Sequence, residues 1–413
     1  MFGSNEMVPK GSEDNMEKIK RAAVNLGLMA LSLVLILLAI EIVLRFTPYA
    51  SMIAKDKKLR YYYRTDAVNG YDISPNVKKM RTSTDNNAFE YDIWSNELCC
   101  FDAPYRGEKD YVLLVGDSFT HQFAPFEAMW GTQMEHLLER RVLKCGVSGY
   151  GTQQEYHKAL EVIAQTGNKP GLIIVGYCLN DLDSDYLGNN LTVHQGFLVG
   201  NSPDLEQRFA RWQKFNLPDY PLTFFEMIQY FLDRHSILVN MINRMHSFSE
   251  KYSYFSPLEW TTFADPDAKQ EAWRIHLENL RLFKKLADRY HANLLIVLIP
   301  LNIQVYPALI DWGGVDPERP NKVLRRFLTQ EGIPYIDLLP LFRNYADQKP
   351  RKFLDSEKDL YWRANSHFNI RGNRLASLLV SRYILENNLV EVKDKQPRLE
   401  NINNKLAHFK TGK

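Results

Sequence analysis

Hydrophobic patterning divides the chain into three regimes. Residues 22–44 form an apolar run of 23 residues, AAVNLGLMALSLVLILLAIEIVL, whose polar interruptions are Asn25, Ser32 and Glu41. At about 1.5 Å per residue such a helix reaches roughly 34 Å, enough to cross a hydrocarbon core of about 30 Å. No small-residue cleavage site follows it, only Glu41-Ile42-Val43-Leu44-Arg45-Phe46, so the run predicts an uncleaved single-pass membrane anchor. Glu41 and Arg45 stand one helical turn apart and are expected to pair at the membrane interface rather than bury a lone charge.

Residues 45–107 lack helical periodicity and are rich in Tyr, Asn and Asp, with Tyr61-Tyr62-Tyr63 near their start. They read as a stalk and leading segment that packs onto the main domain. From residue 111 the pattern changes to short apolar runs at 111–115, 142–145, 172–175, 294–299 and 334–336, separated by amphipathic stretches at 126–140, 153–165, 267–290 and 320–331, with a last one at 370–386. Strands apolar on both faces that alternate with helices predict an α/β fold of three layers, a five-stranded parallel sheet between helices. The expected organisation is therefore an amino-terminal tail (1–21), the transmembrane helix (22–44), the stalk (45–107), the α/β domain (108–390) and a basic tail (391–413).

The third and fourth strands lie too far apart for one crossover helix, which makes residues 183–265 an insertion. Its aromatics, Trp212, Phe215, Tyr220, Phe224, Phe225, Tyr230, Tyr252, Tyr254, Phe255 and Trp260, are expected to form the insertion's own core or, alternatively, a lid or sugar-stacking wall over the site. The tail after Val390 carries a local net charge of +3 and reads as a solvated end.

Composition changes this picture in two respects. With 51 Lys+Arg against 49 Asp+Glu the chain is nearly neutral, which excludes a strongly basic nucleic-acid binder and disfavours steering toward a polyanion. The four cysteines leave the compartment open, since Cys99 and Cys100 are adjacent and Cys145 and Cys178 end two different predicted strands. No Cys/His cluster has zinc-ligand spacing, so neither a metal nor a cofactor is expected. Before the apolar run Lys10, Lys18, Lys20 and Arg21 stand among Glu6, Glu13, Asp14 and Glu17, while Arg45 and the stretch from Lys55 to Arg64 follow it, so the positive-inside rule gives no orientation.

Candidate chemistry begins where the first strand runs into Gly116-Asp117-Ser118-Phe119-Thr120. A serine at the carboxyl end of a parallel strand, just before a helix, stands where ligands bind in open α/β sheets, and free N–H groups of the following turn favour a developing anion. The second strand ends in Cys145-Gly146-Val147-Ser148-Gly149 and the third in Leu179-Asn180-Asp181. The N–H groups of Ser118 and Gly149 and the Asn180 amide are thus candidates for one oxyanion hole, with Asp117 and Asp181 in support. Turn formation alone also explains the glycines. His367, in Asn365-Ser366-His367-Phe368-Asn369 ahead of the last helix, returns to the same edge and is the candidate base.

In this order the blocks resemble the SGNH hydrolases, also called the GDSL esterase/lipase superfamily, over roughly residues 110–387 without the insertion. The resemblance implies a flavodoxin-like fold, Ser118 as nucleophile, Gly149 and Asn180 as oxyanion donors and His367 as general base. Family members place an aspartate two or three residues before the histidine; here those positions hold Asn365 and Ala364. Three arrangements stay open: a Ser118–His367 dyad oriented by Asn365, a triad completed by Asp355 or Asp359, or a domain with little activity. The anchor, the stalk and the Gly-Asp-Ser-Phe-Thr form look like anchored bacterial members and alginate O-acetylation proteins, which implies display outside the cytoplasmic membrane, on the periplasmic or extracellular side. The expected function is a membrane-anchored serine esterase or O-acyltransferase acting on acyl esters of carbohydrate. The alternative is a weakly active or inactive SGNH-fold protein that binds carbohydrate or serves polysaccharide assembly. A phosphate binder of flavodoxin type is disfavoured, because no phosphate-cradling glycine run or P-loop lysine follows the first strand.

Overall fold

The computed structural model describes residues 10–47, 62–85, 89–121, 123–187, 191–194, 197–200, 206–207, 223–239, 241–242, 266–350 and 353–411. Two compact units are present, one of residues 1–55 and 222–249, the other of residues 56–221 and 250–413.

The larger unit is built on a five-stranded parallel sheet. Its strands are β5 (Val112–Gly116), β6 (Val142–Lys144), β7 (Leu172–Cys178), β10 (Asn293–Ile299) and β11 (Tyr335–Asp337), in the spatial order β11-β10-β7-β5-β6. In order of appearance this is 2-1-3-4-5, the flavodoxin-like order, in which the direction of strand addition switches at β5 while all strands stay parallel. The central strands are buried along their length on both faces, as apolar runs without alternation require. The helices Thr152–Thr166 and Pro266–Tyr290 pack together, as do Trp130–Leu138 and Ile370–Glu386, and Arg319–Glu331 packs beside β11. The predicted helix over 126–140 is interrupted: a single 3-10 turn, Phe126–Ala128, precedes Trp130–Leu138, and Glu139 ends it in a left-handed conformation.

Before the sheet come two antiparallel hairpins, β1 (Tyr63–Asp66) with β2 (Gly70–Ile73) and β3 (Met80–Thr84) with β4 (Phe89–Ile93). Tyr71, Ile73, Tyr91 and Ile93 pack with Phe101, Val147 and Tyr150 into a second apolar cluster. An ion pair seals it: Lys158 Nζ, wholly buried, lies 2.7 Å from the buried Asp72 carboxylate. Cys100 is joined to Cys145 by a disulfide, tying the leading segment to the end of β6, while Cys99 and Cys178 are buried free thiols.

Two expectations change. The tail after Val390 is not a solvated end: Lys395–Thr411 is a helix whose Ile402, Leu406 and Phe409 enter the main core, and Arg398 pairs with Glu139 at 2.6 Å. In the insertion, β8 (Leu191–His194) pairs with β9 (Phe197–Gly200), and a helix spans Phe224–His235. Phe224 and Phe225 do not form a core of that segment; they are exposed. The side chains of Trp212, Phe215, Tyr220, Tyr230, Tyr252, Tyr254, Phe255 and Trp260 lie outside the described residues.

In the smaller unit, Lys10–Arg45 is one helix, and its stretch Lys18–Arg45, whose most apolar 18-residue window has a mean hydropathy of 2.7, is long and apolar enough to cross a membrane. Glu41 and Arg45 do pair, at 3.6 Å.

Candidate active site

Adjacent parallel strands bring Ser118, Gly149 and Asn180 to one edge, because β7, β5 and β6 are neighbours and all three residues follow strand carboxyl ends. Gly116 makes the sharp exit from β5 possible. A Cβ there would sit 2.2 Å from Thr120 Oγ1 and 2.9 Å from the Gly176 carbonyl oxygen, and its φ of +156° is one that side chains avoid. The turn that follows leaves Ser118 half-buried, with Oγ 2.7 Å from Nε2 of His367.

Asp117 is fully buried beside it. Its carboxylate accepts the Phe119 N–H at 2.8 Å and the Asn180 Nδ2–H at 3.0 Å. Burial pushes its pKa up, and these donors oppose that rise. The contact fixes Asn180 while leaving the second amide hydrogen available for a ligand oxygen. Asp181 supports the same turn, accepting the Cys178 N–H at 3.0 Å. Burial first, and the neighbouring Glu155 next, hold its pKa well above the usual carboxylate range. Gly149 has φ +82°, and a Cβ on it would meet Leu191 Cδ1 at 2.7 Å and the Tyr71 hydroxyl at 2.8 Å.

His367 is delivered by a tight loop. Tyr361 and Phe368 form a β-bridge, the Trp362 N–H donates to the His367 carbonyl at 3.1 Å, and Asn369 caps the helix Ile370–Glu386 by accepting the Gly372 N–H. Asn365 does not orient the imidazole. Its Nδ2 donates to Thr84 Oγ1 at 2.6 Å and its Oδ1 accepts the His367 backbone N–H at 3.0 Å. Asp355 and Asp359 are spent on their own turn, where Asp355 accepts the N–H groups of Glu357 and Lys358, and Asp359 accepts that of Asp355. The buried Nδ1 of His367 has no hydrogen-bond partner among the described residues.

Aromatic rings take the place of a carboxylate at the imidazole. Phe123 stacks on it with ring centroids 3.8 Å apart and planes within 9°, and Phe119 leans on it at 4.8 Å. Phe123 holds a left-handed backbone, φ +60°, kept there by two elements: its N–H donates to the Tyr91 hydroxyl at 2.9 Å and its carbonyl accepts from Trp362 Nε1 at 2.7 Å. Desolvation in this sandwich lowers the His367 pKa to about 3, so the ring is neutral at ordinary pH and its Nε2 can take a proton from Ser118.

Several residues of this neighbourhood carry no sequence signal of their own. The end of β3 pins the histidine loop: Asp85 accepts from the Ala364 N–H at 2.8 Å and from the Ser356 hydroxyl at 2.6 Å. Tyr71 donates to the Ser148 carbonyl at 2.8 Å, and buried His121 bridges Ser148 Oγ and the Tyr62 hydroxyl at 3.0 Å each. Since Tyr62 itself donates to the Trp94 carbonyl, we assign the Nε2–H tautomer to His121. The leading hairpins thus hold both the loop before Gly149 and the loop before His367. Only their proximity to Gly-Asp-Ser in the fold reveals this, because the residues come from positions 62–85.

No protein-family model matches the chain, and no curated protein sequence does. Among solved structures, it is similar to a GDSL-like lipase from Bacteroides thetaiotaomicron (12% identity, TM-score 0.34, covering 69% of this chain and 93% of that one). It is also similar to a member of the lipolytic G-D-S-L family from Veillonella parvula (15%, TM-score 0.33, 65% and 93%). A third is an acetylxylan esterase from Geobacillus stearothermophilus, in a catalytic-mutant form (14%, TM-score 0.34, 70% and 99%). In this chain the strand order 2-1-3-4-5 brings the Gly-Asp-Ser, Gly, Asn-Asp and His blocks to one carboxyl edge of the sheet, with Ser118 against His367.

Proposed function

We propose that this protein is a membrane-anchored serine esterase or O-acyltransferase that works through a Ser118–His367 dyad on acyl esters, with acylated carbohydrate as the substrate class. The observation that carries the reading is the 2.7 Å contact between Ser118 Oγ and His367 Nε2 at the carboxyl edge of the sheet. Ser118 Oγ attacks the ester carbonyl carbon while its proton passes to Nε2. The carbonyl oxygen, now negative, is held by the second Asn180 amide hydrogen and by the Gly149 and Ser118 N–H groups. Return of the proton from Nε2 to the leaving alkoxide releases the alcohol and leaves an acyl-serine. Water or a sugar hydroxyl then repeats the sequence in reverse and takes the acyl group.

The carbohydrate class draws on the acetylxylan esterase among the similar structures and on a balanced surface charge, which favours recognition by hydrogen bonds and aromatic faces. The Cys100–Cys145 disulfide supports display in an oxidising compartment outside the cytoplasm. One observation favours the second reading, a binding protein of low turnover: the His367 tautomer whose Nε2 accepts from Ser118 carries its hydrogen on Nδ1, which has no acceptor among the described residues, and an unmet buried donor costs about 1–3 kcal/mol.

A fluorophosphonate probe on the full-length chain in detergent separates the two. We expect covalent labelling of Ser118 and release of p-nitrophenol from a short-chain acyl ester, both lost in Ser118→Ala. A folded wild-type protein that stays unlabelled, or a Ser118→Ala variant with wild-type turnover, overturns the esterase reading.

A further inference from the structure

The ion pair at the end of the apolar helix does more than neutralise itself. Arg45 Nη2 donates to the carbonyl of His235 at 2.8 Å, where the Phe224–His235 helix ends. One residue on, the Glu41 carboxylate accepts the N–H groups of Ile237 at 2.9 Å and Leu238 at 3.1 Å and the Ser236 hydroxyl at 2.9 Å. A cation thus meets the carbonyl end of one helix and an anion the N–H end of the next helical turn, each opposite the partial charge it complements. The anchor and residues 222–249 of the insertion form one compact unit on this clasp.

The clasped helix is bare. Phe224 is 67% exposed, Phe225 80% and Phe231 60%, and Met227, Ile228 and Leu232 join them. Such a surface on a helix beside water marks an interaction site. What covers it follows from its neighbour, because the helix it is bonded to has an 18-residue window with a mean hydropathy of 2.7, none of which is buried in the protein. The two exposed apolar surfaces meet where Glu41 and Arg45 mark the end of the apolar stretch. At 12 residues, Phe224–His235 is too short to cross a bilayer, which takes about 20. With Glu226, Asp233 and Arg234 as its charged residues it is suited to lie along the surface instead.

We propose that Phe224–His235 is a second membrane element, an interfacial helix seated at the boundary of headgroups and acyl chains and fastened to the anchor by Glu41 and Arg45. This rests on reading Lys18–Arg45 as a membrane span. Its consequence is that residues 224–235 of the insertion are held at the lipid surface beside the anchor.

The test uses the full chain in phosphatidylcholine–phosphatidylglycerol vesicles, with an environment-sensitive fluorophore on a cysteine introduced by Phe225→Cys or, as a control in the apolar helix, Val34→Cys. The native free thiols Cys99 and Cys178 are buried and leave the new site as the reactive one. Vesicles carry a nitroxide either near the headgroup or deep in the acyl chain. We expect position 225 to lose on the order of half its emission to the shallow nitroxide and less to the deep one, with position 34 showing the opposite order. Quenching at 34 without quenching at 225 overturns the interfacial helix and leaves the anchor standing. A blue-shifted but unquenched signal at 225 overturns it also, since protein rather than lipid would then cover the face. Absence of quenching at both positions removes the anchor reading and the inference together.

Discussion

The ring of Phe123 offers the sharpest test of how this site works without an acid behind its histidine. In Phe123→Ala the backbone hydrogen bonds to Tyr91 and from Trp362 remain, because both are made by main-chain atoms, and alanine tolerates the left-handed φ of +60° no worse than phenylalanine does. Only the stacked face is removed. A well-placed aromatic pair is worth about 1 kcal/mol beyond its buried area. Freeing the imidazole torsions costs about another 1 kcal/mol of ordering in each turnover. The sum, about 2 kcal/mol, predicts a fall in kcat of roughly 30-fold with KM little changed. Water admitted to the ring also weakens the desolvation that lowers the His367 pKa from 6.5 to about 3. The base works unprotonated, so the acid limb of the kcat/KM profile should lie near pH 3 in the wild type and move upward, toward 6.5, in the variant. Initial rates of p-nitrophenyl ester hydrolysis from about pH 2 to 8, with thermal unfolding run in parallel, supply both readouts. If kcat stays within about threefold of wild type and the acid limb does not move, Phe123 merely fills space and the ring does not stand in for a carboxylate.

Other substitutions probe the same geometry. Asn365→Asp should not accelerate hydrolysis, because residue 365 faces Thr84 and the His367 N–H rather than Nδ1; a rise of about tenfold or more in kcat would show a carboxylate reaching the imidazole after all. Gly149→Ala should cut kcat by about a hundred- to thousandfold through displacement of the oxyanion loop, given contacts of 2.7 and 2.8 Å for the added Cβ, and near-normal turnover would remove Gly149 from the site. His121 is buried and neutral with its pKa lowered to about 3, whereas the unfolded chain takes up that proton near 6.5. Its contribution to stability is therefore complete well above pH 6.5 and falls as pH drops toward 3, by about 2 kcal/mol between pH 6.5 and 4.5. Urea midpoints across that range should decline less steeply in His121→Gln; parallel curves for the two proteins would refute the assignment.

The sequence by itself determined the parallel α/β sheet, the apolar helix and the identity of Ser118, Asn180 and His367 as residues of one edge. Its reach there has a physical cause: apolar runs buried on both faces leave a continuous local pattern, and a parallel sheet brings every strand's carboxyl end to the same side. Tertiary structure alone decided what stands behind those residues. Nothing local distinguishes Asn365, which lies two residues from the histidine yet bonds its main chain, from Phe123, which stands 244 positions earlier and covers its ring. The pairing of Cys100 with Cys145, the docking of the basic tail through Ile402, Leu406 and Phe409, and the Glu41–Arg45 clasp on residues 235–238 were likewise open until folding set distant segments side by side. Contacts of that kind depend on the path of the chain in space, and short-range periodicity does not encode it.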